Sequence, residues 1–184
     1  MRWFWIDRFE SFVHGESARA IKNVSLAEEY VDQLTPAFPL FPTSLIVEGL
    51  AQTSGLLVGE YNGFRERVVL AKVSRAAFHG MARPGDTLTY EAVLEDVRDD
   101  GAIATTRALI GDRPIADVDL MFAHLDDRIA EHDLFYPADF LCMLRILKLY
   151  DVGRTADGEP LPIPEHLLAA EKQVIGLAGS ETAT

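Results

Sequence analysis

The sequence predicts an α+β fold: an antiparallel sheet of about six strands wrapped around one long buried helix, followed by a helical extension. Three observations carry this. Residues 45–61 have helical character with apolar side chains (Leu45, Ile46, Val47, Leu50, Ala51, Leu56, Leu57, Val58) around the whole circumference, and a helix apolar all round is buried on all sides. Beyond Gly63 the apolar period changes to two, as in half-buried strands. Short turn signals, Pro84-Gly85-Asp86 and Asp99-Asp100-Gly101, separate those strands as hairpins require.

The elements follow in order. Residues 3–13 and 17–25 read as extended segments around a turn at His14-Gly15-Glu16. Pro36, Pro39 and Pro42 then impose an extended path that excludes helix. Thr43 or Ser44 is placed to cap the helix, and Asn62-Gly63 to stop it. Residues 67–78 are strand-like. In the next strand Leu88, Tyr90, Ala92 and Leu94 alternate with polar residues. Residues 102–110 form another strand, and Ala116, Val118, Leu120 and Phe122 alternate with Asp117 and Asp119 in the last. Residues 1–125 thus form one domain and 126–184 an extension. In the extension, residues 137–150 read as an amphipathic helix, 155–164 as a Pro/Gly linker, 165–175 as a second helix, and 179–184 as a frayed end. Phe140, Leu141, Leu144, Leu147 and Cys142 offer an apolar face that must pack somewhere.

Composition narrows the function. The chain has 184 residues, 48% of them hydrophobic, enough for a sizeable core. Seventeen basic residues against twenty-nine acidic give a net charge of −12, which repels phosphate backbones and anionic lipid, so nucleic acid and membrane surfaces are poor partners. The stretch poorest in charge, 33–59, is broken by prolines and too short to span a bilayer. The lone Cys142 reads as a small buried core residue, and no Cys/His cluster has zinc spacing, so no metal is expected. A reducing cytoplasmic location follows as the default.

Glu48 is the sharpest chemical feature. A carboxylate in a fully apolar helix loses hydration, which raises its pKa toward neutrality. Gln52, at i+4, points to the same side. The pair suits a general acid or base; equally, it suits a buried Glu satisfied by backbone, or a polar pair at an interface.

Around these residues the sequence resembles the hotdog-fold 3-hydroxyacyl-[acyl-carrier-protein] dehydratases of fatty-acid synthesis. Lys22-Asn23-Val24-Ser25 is similar to the family's strand end before its active-site loop. Pro39-Leu40-Phe41-Pro42 and the run from Ser44 to Gln52 match its loop-to-helix motif, Phe78 and Pro84-Gly85-Asp86 a later strand and turn, and residues 116–123 the last strand. The family's loop reads His-Phe-Pro-Gly-x-Pro-x-x-Pro. Counting without gaps from Asn23 or from Pro42 puts its catalytic histidine at Leu34 and its glycine at Ala37.

The resemblance implies that Glu48 and Gln52 are the catalytic carboxylate and its neighbour. It implies that Leu34, Pro36, Ala37, Phe38, Pro42 and Ser44 line the substrate, and that no cofactor is used. Dehydrating a 3-hydroxyacyl thioester needs a base for the α-proton, donors for the enolate oxygen and an acid for the leaving hydroxyl. The family uses histidine as base, backbone N–H groups at the loop and helix start as donors, and the carboxylate on the acid side. Leucine accepts no proton, and a missing acid–base group costs typically 10²–10⁴-fold in rate. Of the other histidines, His14, His79, His124, His132 and His166, none has a motif behind it, and each reads as a solvated loop or surface residue.

Between Phe64 and Pro84 lie Arg65, Arg67, Lys72, Arg75 and Arg83 against the single acid Glu66, a segment of net +4 in a chain of net −12. The resemblance makes it a dock for an acidic acyl-carrier protein; otherwise it is a solvated strand face. Three functions stay open. The chain is an acyl-thioester dehydratase working with Glu48; or a subunit binding carrier-protein or coenzyme A thioesters, a homodimer or a heterodimer with a His-bearing paralogue; or a thioesterase in which Glu48 activates water.

Overall fold

The computed structural model describes residues 4–29, 38–125 and 135–181, the last few by backbone alone. Among these the strands are β1 (Arg8–Val13), β2 (Ser17–Asn23), β3 (Arg67–Phe78), β4 (Thr87–Arg98), β5 (Gly101–Ile110), β6 (Arg113–Leu125) and β7 (Gly153–Arg154). The helices are α1 (Thr43–Tyr61), α2 (Pro137–Ile146), α3 (Leu149–Val152) and α4 (Glu165–Glu181). One sheet runs in the order β3-β6-β5-β4-β2-β1-β7, antiparallel except where β7 joins β1 in parallel. The sequence implied about six strands. The seventh is two residues long, too short to leave a periodic trace.

The curled sheet exists to bury α1. Its inner face is rich in small side chains, Ala20, Ala92, Ala104, Ala108 and Ala116 among them, all essentially inaccessible. Small residues let the helix come close. At Gly49 a Cβ would sit 2.4 Å from the Tyr90 ring, so only glycine fits against that strand. The buried hydroxyls of α1 are satisfied locally: Thr53 Oγ1 donates to Gly49 O at 2.8 Å and Ser54 Oγ to Leu50 O at 2.7 Å.

The start of α1 differs from the expectation. Neither Thr43 nor Ser44 caps it; Pro42 is the N-cap and makes no side-chain bond. Its carbonyl accepts Leu45 N–H at 3.0 Å and Ile46 N–H at 3.2 Å. The Leu45 N–H, at the third helical position where a cap hydroxyl would accept, is thus already met by a backbone carbonyl. The stop is as expected. Gly63, at φ +66°, donates to Glu60 O, and Phe64 N–H to Gly59 O, both at 2.7 Å, the paired bonds of a Schellman end.

The extension packs on the same core. Leu141, Leu144, Leu147, Leu149, Leu161 and Leu167 are buried with the sheet residues in one cluster. Residues 137–150 are not one helix: Lys148 turns left-handed at φ +59° and divides α2 from α3. No glycine or asparagine marks the break. It falls where Leu147 O accepts the Phe9 N–H at 2.8 Å, and it turns Leu149 inward. Cys142 is exposed, contrary to the buried reading, because the leucines take the inner face of α2. Among the described residues no helix is long and apolar enough to cross a membrane.

Candidate active site

The face of α1 that misses the sheet carries the candidate catalytic pair. Leu45, Glu48, Gln52, Gly55 and Leu56 form a half-buried stripe at intervals of three and four residues. The helix is therefore not enclosed on all sides, and Glu48 is not shut away from water as the sequence suggested. The strongly desolvated carboxylate of α1 is Glu60, three turns further on and 6% exposed. An apolar composition told of two buried faces and one open cavity in the same way as of complete enclosure, because aliphatic side chains line both.

Glu48 and Gln52 meet as expected: Gln52 Nε2 donates to Glu48 Oε1 at 2.9 Å. The amide's orientation is set from behind, since Gln52 Oε1 accepts the backbone N–H of Trp5 at 2.8 Å. With its oxygen so occupied, Gln52 can present only its NH₂ to Glu48. Trp5 is held in turn by burial and an edge-on contact with Phe41, ring centroids 5.9 Å apart. Phe41 bridges to Ala82, N–H to O 2.9 Å. The N-terminal segment thus positions the carboxylate, a role that no motif announced because a backbone group carries it.

Glu48 and Gln52 open into a cavity of about 820 Å³. Its floor is the α1 stripe, one wall the start of β3 with Phe122, and the other Phe4, Ile6 and the extension. A carboxylate and an amide at one part of a mainly apolar cavity can bind a polar reacting group and bury a hydrocarbon tail.

The remaining candidates divide. Leu34, Pro36 and Ala37 lie outside the described residues. Pro42 is buried under the start of α1, and Ser44 is exposed on its first turn. Phe38 is 49% exposed with the Arg83 guanidinium 4.3 Å above its ring. The cations Arg65, Arg67, Lys72, Arg75 and Arg83 do not cluster. Arg65 and Arg67 border the cavity beside the end of α1, Arg75 lies 3.9 Å from Asp119, and Arg83 stands beyond the far end of β3. At a rise of about 3.3 Å per residue they string along the length of that strand.

His79 and His166 are exposed, as expected, whereas His14 is half-buried and His124 largely buried, and three of the histidines face a carboxylate. His14 Nδ1 lies 2.8 Å from Glu60, His79 Nε2 2.9 Å from Asp117, and the largely buried His124 2.9 Å from Glu66. Among the described histidines only His166 borders the cavity; it is exposed at the rim. His132 lies outside the described residues. Burial pushes the Glu60 carboxyl above its ordinary range, partly opposed by His14, whereas Arg107 and then His79 hold Asp117 below it. Among the described residues no group of side chains could hold a metal ion.

A curled antiparallel sheet around one helix, with a carboxylate–amide pair opening on an apolar cavity, defines a hotdog protein of the dehydratase type. The FabA-like domain model matches residues 4–119, and the chain belongs to that family of hotdog 3-hydroxyacyl-[acyl-carrier-protein] dehydratases. The 3-hydroxyacyl-[acyl-carrier-protein] dehydratase FabZ of Listeria welshimeri is 34% identical over 122 residues, covering 66% of this chain and 85% of the relative. Two solved structures share the fold. One is smu.793 from Streptococcus mutans UA159 bound to acetyl CoA: TM-score 0.56, 14% identity, 68% of this chain and 93% of that one. The other is the dehydratase heterocomplex ApeI:P from Xenorhabdus doucetiae: TM-score 0.55, 13% identity, 67% and 84%.

Proposed function

We propose that this chain binds 3-hydroxyacyl thioesters and supplies Glu48 as the acid-side group for water elimination to a 2-enoyl thioester. The observation that carries the reading is the Trp5–Gln52–Glu48 relay, which fixes a carboxylate on the open stripe of α1 in a chain of the dehydratase family. Gln52, by donating to one oxygen, leaves the other to meet the leaving hydroxyl. The helix start adds a favourable dipole and N–H groups for the enolate oxygen.

The base is the missing part. Leu34 stands where the family has histidine, so the lone chain is a poor dehydratase and a His-bearing paralogue restores it by sharing a site across a dimer. The edge of the sheet suits such pairing. Among the described residues twelve-residue β3 has β6 on one side and no strand on the other, and it exposes Leu70, Val73 and Phe78, an edge that proteins normally cover. That a similar structure is a dehydratase heterocomplex agrees with a mixed dimer. The thioester is carried by an acyl-carrier protein or coenzyme A. An acidic carrier would dock along the β3 cations, with Arg83, beside Phe38, nearest the start of α1; reversal of Arg75 and Arg83 to Glu should weaken its binding. Such work belongs in the cytoplasm, where the carriers are.

The deciding assay offers purified chain hydroxyacyl thioesters. Low enoyl formation should rise with Leu34→His or on co-expression with a His-bearing paralogue, and vanish with Glu48→Gln in either setting. Free thiol without enoyl product would make the chain a thioesterase, with Glu48 activating water. Leu34→His protein that makes no enoyl product, alone or mixed, would refute the dehydratase reading.

A further inference from the structure

The family match ends at residue 119, yet the cavity that holds Glu48 is walled in part by residues far beyond it: Phe140, Met143, Leu147 and Leu167. We propose that α2 and α4 close this cavity into a seat for the acyl tail of the thioester, so that the extension sets the longest chain accepted. The inference rests on the acyl-thioester reading above and adds the ligand's length and the residues that limit it.

Four features lead there. First, the cavity is continuous from the polar pair to the extension, so a thioester held at Glu48 has its tail directed along the α1 stripe past Gly55 and Gly59. Half-buried Gly55 keeps that floor free of a side chain, and at Gly59 the Phe64 ring takes over, 3.0 Å from where a Cβ would sit. Second, the wall supplied by the extension is apolar: Phe140 and Met143 are half-buried against the space and Leu147 and Leu167 are buried behind it. Aromatic contact ties this wall to the core, with Phe140 edge-on to Phe64 at 5.1 Å. Methionine, flexible and polarisable, adapts to tails that differ by a carbon or two.

Third, the dimension fits a definite tail. From Glu48 to Gly59 the helix advances about 16 Å at about 1.5 Å per residue. An extended hydrocarbon with bonds of about 1.5 Å advances about 1.3 Å per carbon, so the stripe accommodates about twelve carbons. Fourth, the far rim carries Arg65, Glu66, Arg67 and His166. A longer tail would press hydrocarbon among these charges and strip their water, which opposes further extension.

The test uses the full chain and saturated acyl-coenzyme A thioesters, butanoyl through hexadecanoyl, with binding read by calorimetry and mass by light scattering. Affinity should rise with length and level off near dodecanoyl. Met143→Trp, which fills the seat, should weaken dodecanoyl binding on the order of a hundredfold while changing butanoyl binding less than about twofold. Met143→Ala should move the plateau to longer chains, and the two opposite shifts exclude a general folding defect. A plateau that neither variant moves overturns the extension's role and leaves thioester binding standing. Failure of every thioester to bind wild-type protein removes the underlying reading as well. A changed molecular mass in Met143→Trp with an unmoved plateau would show the cavity to be a contact between two copies, which also overturns the proposal.

Discussion

At the scale of single residues, two buried polar groups make testable statements. Tyr90 is inaccessible and its hydroxyl has no hydrogen-bond partner among the described residues. Burial, with Asp7 and Glu28 adding negative charge, pushes its ionisation far above the ordinary value, so it remains a neutral phenol whose O–H is stranded. Tyr90→Phe should therefore stabilise the chain by about 1 kcal/mol in urea unfolding. A loss of stability would mean that the hydroxyl has a partner outside the described residues. Glu60 gives the pH dependence. Its carboxyl is held above the ordinary value chiefly by burial, so the folded state binds this proton more tightly than the unfolded one. The resulting stability is present in acid and is lost as pH climbs from the usual carboxylate value through the raised one. Urea midpoints compared with Glu60→Gln over that range should show the wild type losing ground as pH rises, relative to the variant.

At the scale of the element, α1 joins legible and illegible features. Its extent follows from the prolines before it and Asn62-Gly63 after it, and 45–61 became Thr43–Tyr61. Glu48 and Gln52 could be paired from spacing alone. Which side of the helix is open could not, because a cavity lined by Leu56 and Gly55 has the same apolar signature as a sheet contact. Gly49 lies on the closed side, where a methyl group would collide with the Tyr90 ring. Gly49→Ala gains about 1 kcal/mol of helix propensity, but overpacking of about 1–3 kcal/mol outweighs it. The expected outcome is a lowered melting temperature. A raised one would mean that Tyr90 yields easily.

At the scale of the whole molecule, the extension and the sheet edge matter most. Leu144 is buried in the same cluster as the sheet residues. If 137–181 and the sheet unfold as one unit, Leu144→Ala should shift a single calorimetric transition by about 2–5 kcal/mol; two separate transitions would make the extension an independent unit. The edge of β3 that no described strand covers is where the proposed dimer should pair. Val73→Lys, placing a charge on that edge, should lower the mass in light scattering toward one chain; an unchanged dimer would put the contact elsewhere.

The sequence by itself determined the class of fold, the succession of the main strands and the long helix along the chain, and the pairing of Glu48 with Gln52. These rest on local periodicity and on residues a few positions apart, and chain geometry makes both visible in one dimension. The tertiary structure alone decided that Trp5 aims the Gln52 amide, that Glu60 is the desolvated carboxylate, that Lys148 divides the extension's first helix, and that Met143 faces the same cavity as Glu48. Each depends on a contact between distant segments, often through a backbone group, and such contacts exist only when the chain has closed around its core.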